Sequence, residues 1–282
     1  MNTESIINDL SQRANVMTFR YLEKTIVLYD DHRWILNVLF SLKEGGFWGD
    51  KTPNIIYFDK HDDAAKLFPN TIDIIKQYNR KEQKSLRDFL TLVEFDLNPY
   101  DGDWVTAGME LELIDNVVCI GTDFKYNRNI SIWDNNIYET QNGIEHKGFC
   151  INHLKSEIGY QGIIGDTEKY NQDVRDIFGY KGENAELKPD NPYVLDFDLD
   201  CFTTECRDKT FAWPKGIFKN EYADDKNLSL SHFIQNLKSN ASIITICREP
   251  NCCGGLGESN KILGYLDTYF FEGALGTTPI EL

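Results

Sequence analysis

"PYVLDFDLDCF" (residues 192–202) sets three carboxylates two residues apart inside a run that otherwise reads as a buried strand. Alternation along a strand sends Asp196, Asp198 and Asp200 to one face. Like charges on one face of an apolar strand repel one another and resist burial. The stretch therefore calls for a cation, and the rest of the chain must show what holds it.

Four more runs have the same character: "TIVLYDDH" (25–32), "NIIYFDKHDD" (54–63), "NVVCIGTD" (116–123) and "SIITICRE" (242–249). They are nearly continuous in apolar residues and bounded by polar ones, as strands of a parallel sheet covered on both faces should be. Helical patterns lie between them at "RWILNVLFSLKEGG" (33–46), "KEQKSLRDFLTLVE" (81–94), "SLSHFIQNLKSN" (229–240) and "ESNKILGYLDTYFFEG" (258–273). Residues 95–115 and 124–192, rich in Asn, Asp, Gly and Tyr, read as long loops or inserted hairpins. Strands alternating with helices predict one α/β domain over residues 1–282.

In such sheets ligands bind beyond the carboxyl ends of the strands. The first run ends in Asp31-His32, the second in Asp59, His61 and Asp63, the fourth in Asp198 and Asp200, and the last in Arg248-Glu249. Four strands thus bring His, Asp or Glu to one sheet edge. The four aspartates and two histidines are too many donors for one ion and suit two ions bridged by shared carboxylates. Oxygen-rich donors with imidazole favour Mn²⁺ or Fe²⁺, with Zn²⁺ an alternative. Two such ions about 3.5–4 Å apart can generate a hydroxide nucleophile at neutral pH.

Composition narrows the classes. With 41% hydrophobic and 13% aromatic residues the chain is globular. A formal charge of −16, from 29 basic and 45 acidic residues, argues against nucleic acid or an anionic membrane as partner and suits a basic substrate or a metal. The start "MNTESIINDL" does not read as a signal peptide, and no run has the length of a membrane span. Seven cysteines without a CxxC predict a reduced, cytoplasmic protein.

Asp31-His32, "DKHDD" (59–63), "DFDLD" (196–200) and the late Glu249 of "ICREPNCCGG" together resemble the arginase/deacetylase superfamily, specifically its dinuclear manganese ureohydrolases. "VLDFDLDCF" and "DGDWV" are similar to a group that includes peptide arginases, which convert arginine to ornithine in ribosomally made peptides. The resemblance implies a three-layer αβα arginase-like fold with a mostly parallel sheet. It implies two Mn²⁺, one on His32, Asp59, Asp63 and Asp198, the other on Asp59, His61, Asp198 and Asp200. It also implies that Asp63 takes the proton of the nucleophile, that a histidine relays a proton to the leaving amine, and that urea is released. Two departures stand out. "CFTTE" follows the D-x-D where arginases have an acidic-Pro pair. The loops that grip a free amino acid are not recognisable in "AAKLFPNTID", which points to an arginine-containing peptide as substrate.

Other residues take assigned places. Glu249 at the sheet mouth can form a bidentate fork with a guanidinium. His146, in "IEHKGF", fits a mobile proton-shuttle loop better than His153. Trp104 and Glu110, in "DGDWVTAGMELELI", could hold an arginine chain, or belong to a hairpin. Asp196 has no counterpart among the implied ligands and is expected to face solvent, the alternative being a hydrogen bond to a ligand or to backbone. Cys252-Cys253-Gly254-Gly255 reads as a tight loop in which the glycines matter more than the thiols. Competing readings are a haloacid-dehalogenase-type phosphatase, a deacetylase-like or other amidohydrolase, a ureohydrolase acting on a small guanidino compound, and a metal-containing peptide-binding protein. A homo-oligomer is left open.

Overall fold

The computed structural model describes residues 16–81, 84–98, 102–122, 137–152, 191–219 and 230–277. Its strands are β1 (Met17–Tyr21), β2 (Lys24–Tyr29), β3 (Asn54–Phe58), β4 (Val117–Thr122), β5 (Ile137–Glu139), β6 (Glu145–Asn152), β7 (Tyr193–Asp198), β8 (Thr203–Cys206), β9 (Lys209–Ala212) and β10 (Ile243–Cys247). Its helices are α1 (Ile35–Glu44), α2 (Pro69–Asn79), α3 (Leu86–Phe95), α4 (Trp104–Glu110), α5 (Lys215–Phe218), α6 (Leu230–Asn240) and α7 (Leu256–Phe270). Among the described residues, no helix is long and apolar enough to cross a membrane.

Eight strands form one sheet in the order β1-β2-β10-β7-β3-β4-β6-β5. The six inner strands run parallel, and β1 and β5 close the two edges antiparallel. All five apolar runs are strands of this sheet. Alternation sorts their side chains into two cores. Ile26, Leu28, Ile56, Phe58, Leu195, Phe197, Ile244 and Ile246 pack with Ile234 and Leu237 of α6 and Ile262 and Leu266 of α7. Val27, Tyr29, Ile55, Tyr57, Val194, Ile243 and Cys247 pack with residues of α1, α3 and α4. Helices therefore cover both faces, and the expected αβα layering with a mostly parallel sheet is what forms.

Residues 95–115 depart from the loop or hairpin reading, for they carry α4, every residue of which is buried. A helix buried all round has no polar face and so leaves no amphipathic signature. Of residues 124–192, the described part forms β5 and β6, a hairpin at the sheet edge.

A second, two-stranded sheet, β8 and β9, follows β7 directly. Its flank rests on the loop after β10. A Cβ on Gly254, whose φ is +89°, would lie 2.2 Å from the Thr210 carbonyl oxygen. Both the backbone angle and the backbone contact exclude a side chain there. The Gly254→Ala variant is expected to lose about 1–3 kcal/mol of stability, read as a lower denaturation midpoint in urea; an unchanged midpoint would show that the loop is not clamped.

Candidate metal centre

The sheet order explains how residues spread from 32 to 249 meet. β2, β10, β7 and β3 are consecutive neighbours, so their carboxyl ends lie side by side. Cys247 pairs with Tyr29 on one side and Asp198 on the other, and Phe58 pairs with Phe197. Asp198 stands on that line, and the other candidate donors follow one to five residues beyond it.

His32 opens a single 3₁₀ turn that leads into α1. The turn is fixed by Asp31, whose carboxylate accepts from the Arg33 backbone N–H at 3.0 Å and from Arg33 Nη2 at 2.5 Å. The same guanidinium donates to the Leu97 carbonyl at 3.0 Å and so ties the end of α3 to this turn. Asp59 to Asp63 lie beyond the end of β3, so the D-x-H-x-D motif is shaped by a loop and not by strand alternation. Asp63 has φ +46°, and its Oδ2 accepts from Trp104 Nε1 at 2.6 Å. Asp200 also lies past its strand, in a 3₁₀ turn capped by Asp198, whose Oδ1 accepts from the Asp200 N–H at 3.1 Å.

Two donor groups result. His32 Nδ1 lies 3.3 Å from Asp59 Oδ2, 2.9 Å from Asp63 Oδ2 and 3.2 Å from Asp198 Oδ2. His61 Nδ1 lies 3.1 Å from Asp200 Oδ2 and 3.6 Å from Asp59 Oδ1. Asp59 is common to both, with one oxygen toward each histidine. His32, Asp59, Asp198 and Asp200 are at most 2% exposed. His32 Nδ1, Asp59 Oδ2 and Asp200 Oδ2 are buried yet satisfied by no hydrogen bond. Buried acceptors left without donors are costly, and they converge where a cation would sit. His32–Asp59–Asp198 and Asp59–His61–Asp63 each place their ligand atoms within 4.8 Å of one another. The residues fit a divalent ion in each group.

Electrostatics lead to the same place. At 4.8 Å two unit charges repel by about 3–4 kcal/mol at an effective dielectric of ~20. Burial, and then Asp63, pushes the Asp59 carboxyl up to about 8. Burial, with Asp200 next, raises Asp198 well above the usual range. Burial would lower both histidines, but Asp196 beside His32 and Asp200 beside His61 outweigh it and raise them. Every shift but one favours uptake of positive charge. Asp63 goes the other way: its burial is outweighed by the nearby His32 and His61, which hold it low.

Asp196 corrects the expectation of a solvent-facing residue. It is fully buried. Its Oδ1 accepts from Tyr29 Oη at 2.9 Å and Thr245 Oγ1 at 2.5 Å, and its Oδ2 lies 2.7 Å from His32 Nε2. With both hydroxyls donating, the carboxylate takes the His32 Nε2 proton as its third bond. That leaves the Nδ1 lone pair aimed at the carboxylate cluster, the tautomer a metal ligand needs. Tyr29 and Thr245 were invisible as site residues in the sequence, although a threonine inside "SIITIC" was the one available signal; it pairs directly with Asp196.

Glu249 stands at the mouth, half-buried, with φ +30°. Its carboxylate accepts weakly from the His32 N–H at 3.4 Å, and burial followed by Asp198 raises its proton affinity. Arg248 points away and pairs with Asp30 through two bonds of 2.5 and 2.8 Å.

Three expected site residues are not brought to the mouth. His146 is buried at the start of β6, with Nδ1 2.6 Å from the Asp115 carbonyl, so it lies at the amino edge of the sheet, opposite the donors. Glu110 is buried at the far end of α4 and accepts from Tyr138 Oη at 2.5 Å and the Gln141 N–H. Trp104 is at the site but fully buried, 4.7 Å from His32 ring to ring, so it orients Asp63 and offers no face to a substrate. His153 lies outside the described residues.

No protein-family model matches the chain, and no curated protein does. A solved structure to which it is similar is an arginase of Helicobacter pylori, at 13% identity and a TM-score of 0.39, over 93% of this chain and 76% of that one. At that distance the likeness adds nothing to what the site's own geometry shows.

Asp196→Asn keeps the shape of the buried side chain but removes the charge that holds the His32 Nε2 proton. It should weaken divalent-metal binding about 10- to 100-fold, measured by Mn²⁺ titration with paramagnetic-resonance detection of the free ion. Wild-type affinity in a folded variant would remove Asp196 from this role.

Proposed function

We propose that this protein is a divalent-metal hydrolase of the ureohydrolase type that converts arginine side chains within a peptide to ornithine and urea. The carrying observation is the double cluster of His32, Asp59, Asp63, Asp198 with His61 and Asp200, sharing Asp59, under a half-buried glutamate at the mouth. The oxygen-rich set favours manganese. A pair of ions held by these residues supplies, when bound, a water-derived nucleophile at neutral pH.

The chain's own groups do the rest. Glu249 pairs with the guanidinium and fixes its carbon above the cluster. Asp63, anchored by Trp104 Nε1, receives the proton of the nucleophile. Asp196 and Thr245 hold His32 still while charge changes around it. Asp63 passes that proton to the side-chain nitrogen as its bond to the guanidinium carbon breaks; urea leaves, and the amine remains on the peptide. Of the histidines with described side chains, His32 and His61 stand at this edge, both in the donor groups, and His146 does not. The shuttle assigned to His146 therefore has no support from its position.

A peptide is favoured over free arginine by two observations. In the sequence after Asp63, "AAKLFPNTID", the loops that grip a free amino acid are not recognisable, and the −16 charge would steer a basic chain toward the protein.

Two outcomes check this reading. Glu249→Gln should retain bound metal and lose about 30- to 900-fold in kcat/KM for an arginine peptide, the equivalent of ~2–4 kcal/mol of charged hydrogen bonding. Urea release together with the mass loss of urea less the water gained is the assay; full turnover would exclude Glu249. With Mn²⁺ and salt held constant, kcat/KM should be higher for an arginine-containing peptide than for L-arginine. The reverse order would make the substrate the free amino acid.

A further inference from the structure

The mouth carries a second donor set, centred on a thiol. After β10 the chain turns back on itself, with the Cys252 N–H donating to the Glu249 carbonyl at 3.0 Å. Cys252 is exposed to solvent. One ligand atom each of Asp200, Glu249 and Cys252 falls within 4.8 Å of the others. Asp200 is 1% exposed, and its Oδ2 has no hydrogen-bond partner. That oxygen is 3.1 Å from His61 Nδ1. The turn packs closely at Gly254, where a Cβ would lie 2.2 Å from the Thr210 carbonyl oxygen.

We propose that Asp200, Glu249 and Cys252 form an inhibitory site for a thiophilic divalent cation of the zinc class. Sulfur, carboxylate and nearby imidazole are the donors such an ion prefers, whereas manganese gains little from a thiolate. The cation enters from solvent at Cys252, displaces the thiol proton, and binds the Glu249 carboxylate. A Glu249 so engaged is no longer open to a guanidinium. The inhibitory half of this inference rests on the function proposed above; the binding half does not.

Cadmium is the direct probe, added to the manganese-loaded protein while the thiolate-to-cadmium ultraviolet absorption is followed. One equivalent should give the band in wild type and in Cys206→Ser, which removes another exposed thiol. The band should vanish in Cys252→Ser, and Glu249→Gln should weaken cadmium about tenfold. Bound cadmium should also slow alkylation of Cys252 in the wild-type protein relative to Cys206, a reading that needs no variant. A band that survives Cys252→Ser, or Cys252 alkylation unaffected by cadmium, would overturn the site. In the urea assay, Cys252→Ser should raise the zinc concentration for half-inhibition about tenfold or more. A protein that binds cadmium at Cys252 but releases no urea from any arginine substrate would sink the proposed function and leave the cation site standing.

Discussion

The organising constraint of this structure is a knot of buried negative charge. Asp59, Asp63, Asp196, Asp198 and Asp200 converge at one sheet edge, and four of the five are at most 1% exposed. Neither hydrophobic burial nor backbone pairing favours that arrangement, and repulsion of a few kcal/mol per close pair opposes it. Two imidazoles and a set of hydroxyl and backbone N–H donors compensate part of it. Within this knot the carboxylate oxygens that remain unsatisfied, Asp59 Oδ2 and Asp200 Oδ2, are those turned toward the two donor groups. The unmet electrostatic demand of the knot lies where divalent cations would meet it.

Topology makes the knot possible. In the chain, β2 comes first and β10 last of the four site-bearing strands; in the sheet they are neighbours, with β7 and β3 beside them. Inserting β10 between β2 and β7 brings Glu249, two residues past the end of β10, into the cluster. Parallel pairing then aligns every carboxyl end in register, and at most five residues of loop suffice to reach the centre. The Asp30–Arg248 pair joins the ends of β2 and β10, and the Asp31–Arg33 pair closes the turn after β2.

Much of this was legible in the sequence because the inner strands are covered on both faces. Continuous Val and Ile runs mark them, and polar residues at their ends mark the edge where ligands gather. The parts that escaped have physical causes. The β8–β9 hairpin turns through Arg207 and Asp208, both at positive φ, without the Gly or Asn that signals such a turn. β1 is an edge strand whose residues are mostly exposed, so it lacks an apolar stripe. Helix α4 is buried all round, so no exposed polar face marks it. His146 was misplaced because "IEHKGF" reads as a loop, whereas it starts a strand that runs away from that residue toward the site edge. Asp196 was misjudged for a different reason: its three hydrogen-bond partners come from three different elements, and local sequence holds no trace of them.

The two residues given the most demanding roles also carry unusual backbone. Asp63 and Glu249 both adopt positive φ, at 46° and 30°, which costs a non-glycine residue of order 1–3 kcal/mol. Each is held by a specific restraint. At Asp63 it is the Trp104 bond together with Gly102, where any Cβ would lie 2.3 Å from Asp63 Oδ1. At Glu249 it is the turn closed by Cys252 and Cys253 N–H groups onto the Glu249 carbonyl. Strain of this kind persists where the surroundings over-determine it. Here the restraining groups are rigid: a buried indole, a glycine with no room for a side chain, and a loop clamped by the hairpin. Relaxing either backbone toward the helical or extended region would swing its carboxylate away from the cluster. The fold therefore gives up stability at these two positions to keep two carboxylates facing the charge they are placed to meet.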